Sequence, residues 1–132
     1  ISIRKKIRAN YDKRLSKLIE KNLIFSIQTK EGFNSSHYIY TICLNPDKLR
    51  ISRNQFIEKL ERKKISAVVH YIPANRLNFY KKKINFTELK NTNQIYKNIL
   101  SLPFFNKISK KEINYICKNV ENLILDNLKI RN

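Results

Sequence analysis

The 132-residue chain contains one glycine, Gly32, two cysteines, and neither methionine nor tryptophan. A single glycine nearly excludes the phosphate cradles of P-loop and dinucleotide-binding proteins, which need several residues without a Cβ. No apolar run approaches the roughly 18 residues of a membrane span, and Ile1-Ser2-Ile3-Arg4-Lys5-Lys6 is not followed by a signal-peptide core. Cys43 and Cys117 have no second cysteine or histidine at metal-ligand spacing. A zinc centre therefore lacks support, and the two read as reduced core thiols of a cytoplasmic protein. The missing Met at position 1 points to a fragment or a processed chain. There are two histidines, His37 and His70, neither with an acid beside it in sequence. Nucleophile elbows and metal-binding histidine pairs are likewise missing, so the sequence alone makes a poor enzyme.

Acidic residues are also scarce, 10 against 28 Lys and Arg, for a net charge of +18. Such a charge suggests nucleic acid or acidic partners, yet the basic residues are spread over the whole chain. Arg4-Lys5-Lys6, Arg62-Lys63-Lys64, Lys81-Lys82-Lys83 and Lys110-Lys111 lie far apart in sequence. Lys, Asn and Ile are abundant together, as A/T-rich codon usage would give. A stand-alone basic module that binds nucleic acid or protein is the alternative function.

Hydrophobic residues make up 42% of the chain, with seven Phe and seven Tyr. One domain of this length buries roughly two-thirds of its unfolded surface, enough for a core. Ile3, Ile7, Tyr11, Leu15 and Leu18/Ile19 recur at helical spacing and predict an amphipathic helix over 3–21. Residues 23–28 read as an edge strand and 29–36, with Gly32, as a loop. His37 to Leu44 is the clearest strand, ending at Asn45-Pro46-Asp47. Ser52 and Gln55 have capping-box spacing before a helix that runs to about Lys64. Ile65 to Tyr71 predicts a second strand, stopped by Pro73. Residues 74–86 read as a loop with one helical turn around Phe79-Tyr80, and 91–100 as a helix. Ser101 to Phe105 forms an apolar connector. Ser109 and Glu112 make a second capping box, opening a long helix through Ile113, Ile116/Cys117, Val120, Leu123/Ile124 and Leu128.

His70 closes an apolar strand next to a proline-stiffened loop, a frequent place for side chains that face a ligand. A histidine satisfying backbone groups at the core edge is the plainer reading. For Tyr38 and Tyr40, which alternate with His37 and Ile39, core packing is the default.

Taken in order, several segments resemble the DegT/DnrJ/EryC1/StrS aminotransferases. Val69-His70-Tyr71-Ile72-Pro73-Ala74-Asn75 is similar to that family's "VHYIPLH", and Leu77-Asn78-Phe79-Tyr80 to its "LQPYY". Ser36 to Tyr40 resembles its "SWHLY", Ile99 to Phe105 its "ILSLPLYP", the Ser109 helix its "LTEEDVEYVIEAL", and Ile7 to Tyr11 its "RREIAARY". The resemblance covers nearly the whole chain. It implies an α/β (α+β) fold, a small sheet of about three strands packed against amphipathic helices. That is the C-terminal small domain of fold-type I aminotransferases, with residues 1–132 as one domain. The family's activity is transfer of an amino group from glutamate or glutamine to a keto-sugar nucleotide by cytoplasmic homodimers. Its cofactor, pyridoxal 5'-phosphate (PLP), is held by a larger N-terminal domain whose Schiff-base lysine motif has no match here. The resemblance thus implies no catalytic residue in this chain, no PLP bound by it alone, and inactivity in isolation. His70 and Tyr71 become active-site-edge residues that help to place the substrate. Asn75 stands where the family has a second His, Leu77-Asn78 where it has Gln-Pro, and His37-Tyr38 at its aromatic–His pair. The implied substrate-binding set is His70, Tyr71, Asn75, His37 and Tyr38.

Overall fold

A computed structural model describes residues 1–26, 35–83 and 89–129. Helix α1, Ser2–Glu20, buries Ile7, Tyr11, Leu15 and Leu18, the stripe that the periodicity predicts. It stops in a Schellman turn: Leu23 N–H bonds Leu18 C=O (2.9 Å) and Asn22 N–H bonds Ile19 C=O (2.8 Å). Asn22 takes the left-handed conformation, φ 53°, that this turn needs. Strand β1, Ile24–Ser26, follows as an edge strand. Residues 27 and 28 of the predicted strand and 29–34 of the predicted Gly32 loop lie outside the described residues.

Strand β2, Tyr40–Leu44, is central in an antiparallel sheet of order β1-β2-β3, where β3 is Ile99–Leu102. The sheet pairs Ile24 with Leu44, Tyr40 with Leu102 and Thr41 with Ser101. Side chains alternate across it. Tyr40, Ile42, Leu44, Leu100 and Leu102 share one face, and Tyr40 stacks on Tyr11 of α1 at 4.5 Å. Thr41, Cys43, Ile99 and Ser101 share the other. The strand predicted from His37 begins only at Tyr40, because His37 has φ 48° and leaves the extended region. Tyr40 is accordingly core, whereas Tyr38 is 53% exposed.

Helix α2, Arg53–Arg62, carries the predicted capping box, with Ser52 accepting from Gln55 N–H. It too ends in a Schellman turn, Ile65 N–H to Leu60 C=O at 3.0 Å, with Lys64 left-handed at φ 60°.

The predicted strand over 65–71 is a correction. Ile65 and Ala67 are buried while Ser66 and Val68 are exposed, so the alternation holds. Among the described residues only Val68 pairs, exchanging both backbone hydrogen bonds with Ser101 (3.1 and 2.7 Å). The next pairing positions on β3 are spent. Pro103 has no N–H to give. Ile99 N–H caps the preceding helix at Ile95 C=O, and Ile99 C=O accepts from Arg53.

After Pro73 come a 3-10 turn, Ala74–Arg76, and α3, Asn78–Lys83, longer than the single turn predicted. The rest of that predicted loop, 84–86, is outside the described residues. Helix α4 spans Lys90–Asn98, so Ile99 and Leu100 belong to β3 and not to the helix predicted over 91–100. Pairing with β2 overrides local helical spacing there. Helix α5, Lys110–Leu125, opens on the Ser109–Glu112 capping box and packs on α1 and α2. It ends before Leu128, which bridges to Leu49 instead of extending the helical stripe.

Among the described residues the architecture is therefore α/β, with a small three-stranded antiparallel sheet and five α-helices. Among the described residues no helix is long and apolar enough to cross a membrane.

Candidate functional site

The Val68–Ser101 bridge carries residues 68–70 along the outer side of β3, and the two-residue period returns His70 to the side of Ser101. The His70 Nδ1 lies 2.9 Å from Ser101 Oγ. Ser101 is 2% exposed on the sheet face opposite the Tyr40–Tyr11 stack, so the imidazole is fixed at that nitrogen by a buried hydroxyl. That leaves Nε2 as its other polar atom.

The peptide bond after His70 is cis, and the Tyr71 ring lies 4.8 Å from the imidazole. Tyr71 is 65% exposed. Its hydroxyl interacts electrostatically with that of Tyr38, from the segment entering β2. Local desolvation, then the neighbouring Tyr71 hydroxyl, push the Tyr38 phenol above its ordinary value, so it stays a neutral donor and acceptor at physiological pH. One imidazole and two phenols from separate stretches of sequence thus share an edge of the molecule.

His37 and Asn75 differ from these three. The His37 N–H bonds Ser35 Oγ at 3.1 Å, and its Nδ1 is buried with no hydrogen-bond partner among the described residues. Asn75 sits in the 3-10 turn, its Oδ1 likewise buried and unpartnered. No hydrogen bond among the described residues ties either to His70 or Tyr71. Of the five predicted residues, contacts among the described residues link His70 with Tyr71 and Tyr71 with Tyr38. Ser101 was missed by the sequence reading. Its signal was a lone hydroxyl between the apolar Leu100 and Leu102.

Other chemistry-bearing groups are quiet. Burial pushes the Cys117 thiol up to about 12, and the half-buried Cys43 is raised too, so neither is a ready thiolate. No group of three or more metal-ligating side chains occurs among the described residues.

PLP would require a lysine for the Schiff base and a carboxylate at its ring nitrogen. Lys64, Lys111 and Glu112 do line one cavity of about 460 Å³, beside Tyr115 and Phe105. There Glu112 Oε2 is already the acceptor for Ser109 N–H at 2.7 Å, and both lysines are exposed. The helix N-termini of α2 and α5, the natural phosphate seats, are filled by their own capping boxes. These residues do not fit the cofactor.

The model of the DegT/DnrJ/EryC1/StrS aminotransferase family matches residues 1–121. A UDP-4-amino-4,6-dideoxy-N-acetyl-beta-L-altrosamine transaminase of Campylobacter jejuni is 32% identical over 119 residues, 85% of this chain and 31% of that protein. An uncharacterized protein of Methanocaldococcus jannaschii is 27% identical over 100 residues, 74% of this chain and 26% of its own. Among solved structures, an aminotransferase of pseudoaminic acid biosynthesis from Helicobacter pylori superposes with a TM-score of 0.81 at 20% identity. That superposition covers 95% of this chain and 33% of the other. A Streptococcus pneumoniae protein described as a sugar aminotransferase, in its PMP form, gives 0.81 at 25% identity, covering 95% and 31%. The chain spans less than a third of the length of the curated relatives it matches. With the sequence match and the fold in agreement, this chain belongs to the DegT/DnrJ/EryC1/StrS aminotransferase family.

Proposed function

We propose that residues 1–132 form one domain, the C-terminal small domain of a PLP-dependent sugar aminotransferase, and serve as the cap over its active site. In this reading PLP is held by residues outside this chain, and the 132 residues alone transfer no amino group. The substrate is a keto-sugar nucleotide, the donor glutamate or glutamine, and the working assembly a cytoplasmic homodimer. The observation that carries the reading is the edge where Ser101 fixes His70 beside the Tyr71 ring, within a family match that covers most of the chain. An imidazole Nε2 and two phenol hydroxyls supply hydrogen bonds to the hydroxyls and ester oxygens of a sugar nucleotide. His37 and Asn75, each with a buried polar atom that has no hydrogen-bond partner among the described residues, complete the substrate-binding set.

In the aminotransferase bearing this unit, Tyr71→Phe and His70→Ala are expected to raise KM for the nucleotide sugar about tenfold each, the loss of one or two hydrogen bonds. KM for the amino donor should hold, and so should PLP content. Unchanged sugar-nucleotide kinetics in both variants would remove these residues from the site. Borohydride reduction of the 132-residue chain with PLP should add no cofactor mass. A stoichiometric adduct on one lysine would overturn the assignment of PLP to other residues.

A further inference from the structure

A cleft of about 570 Å³ opens between the start of α2 and the end of α4. It lies toward the end of the sheet where Cys43 meets Ile99, the far end from the Tyr40–Leu102 pair. Arg50, Arg53, Arg76, Lys97 and Lys129 line it around Tyr96, and none of its described lining residues is acidic. The Arg76 guanidinium stands 4.8 Å from the Tyr96 ring centroid and that of Arg53 5.4 Å. Two like charges thus share one aromatic ring, an arrangement that repels without a counter-ion.

The hydrogen bonds of these cations go to neutral oxygens. Arg53 Nη1 donates to the carbonyls of Tyr96 (3.1 Å) and Ile99 (3.2 Å), and its Nε to Asn54 Oδ1 (2.8 Å). Arg76 donates twice to Asn93 Oδ1, Arg50 to the Asp126 carbonyl, and Lys129 to that of Pro46. Their positions are set while no carboxylate among the described residues forms an ion pair with them, so little side-chain entropy remains to be lost on binding an anion. Three of the chain's eight arginines gather here, although lysine is much the commoner base. Guanidinium forks match the paired oxygens of phosphate, and the cleft has the volume of a small-ligand site rather than of a single phosphate.

We propose that this cleft binds a diphosphate group, two linked phosphates spanning the Arg50 and Arg76 sides. The inference is independent of the aminotransferase reading.

Calorimetric titration of the 132-residue chain with inorganic pyrophosphate at low and moderate salt tests it. Pyrophosphate should bind at least about tenfold more tightly than inorganic phosphate. The double variant Arg50→Gln/Arg76→Gln, both exposed side chains, should lose about tenfold or more of that affinity with its melting profile intact. Lys5→Gln/Lys6→Gln on α1, which removes equal charge elsewhere, should stay within about twofold of wild type. Equal losses in both variants would mean diffuse attraction to a basic surface and would overturn the site. So would equal affinity for phosphate and pyrophosphate. A nucleoside diphosphate showing the same dependence on Arg50 and Arg76 identifies a nucleotide as a source of the group. RNA that needs these arginines while pyrophosphate fails to bind would also overturn the proposal.

Discussion

Glu112 shows how one side chain joins sequence, local structure and pH. Its carboxylate accepts from Ser109 N–H at 2.7 Å, while its own N–H donates to Ser109 Oγ at 3.1 Å. The side-chain and backbone hydrogen bonds from Ser109 hold its pKa below the ordinary 4.5. A carboxyl depressed in the folded state stabilises the fold above its unfolded pKa and loses that contribution as pH falls through the folded value. Urea unfolding of the wild type and of Glu112→Gln should therefore differ at neutral pH, with the wild type more stable. The difference should narrow as pH falls below the ordinary carboxylate value and Glu112 takes up its proton. A gap that persists unchanged in acid would mean that the carboxylate charge contributes nothing at the cap. The same scale shows what is legible in a string of letters. His70 stood out because a strand and a proline bracket it, but the hydroxyl that fixes it comes from Ser101, 31 residues away. Spacing along a chain cannot announce such a pairing.

At the scale of elements, the scarcity of glycine has a structural consequence. Both α1 and α2 end in Schellman turns that require one left-handed residue, and these are Asn22 and Lys64. Asparagine tolerates this region, whereas a lysine Cβ crowds the following carbonyl at roughly 1 kcal/mol or more. Lys64→Gly should therefore stabilise the chain by about 1 kcal/mol, read as a higher urea midpoint at unchanged slope. A destabilised variant would show that the Lys64 side chain itself contributes more than its backbone strain costs. Helices α1, α2 and α5 were legible because their stripes and capping boxes are local. Strands were legible only where a partner had free backbone groups. Residues 65–71 alternate as a strand should, yet the Arg53 side chain and the cap of α4 had already used Ile99, and Pro103 offered no N–H. Ile99 and Leu100 misled in the opposite sense. Their spacing continues α4, but their burial is earned in the sheet beside β2. The edge formed by His70, Tyr71 and Tyr38 was nameable through family likeness. Its cohesion, and the arginine cleft around Tyr96, depend on contacts between distant segments.

The whole molecule must hold together against its own charge. At +18, cations far outnumber carboxylates, and the ion pair found among the described residues is Arg8–Asp12, one helical turn apart at 3.5 Å. Such a surface pair contributes at most about 1 kcal/mol. The first turns of α1, α2 and α4 contain no acid, and α1 opens with Arg4, Lys5 and Lys6 close to its positive end. Some cations are better placed: Lys48 reaches the Lys21 carbonyl and Arg50 that of Asp126, near the ends of α1 and α5. Those contacts are short and local, so salt weakens them little. The repulsion among spread lysines acts over longer distances and is screened once the Debye length falls to about 8–10 Å. Raising sodium chloride from about 0.02 to 0.2 M should therefore raise the melting temperature. A relief of about 1 kcal/mol would correspond to roughly 3–6 °C for a domain of this size. Chloride is chosen because a phosphate buffer would also act through the arginine cleft. A melting temperature that is flat or falls with salt would mean that local charge–carbonyl and ion-pair contacts outweigh net repulsion.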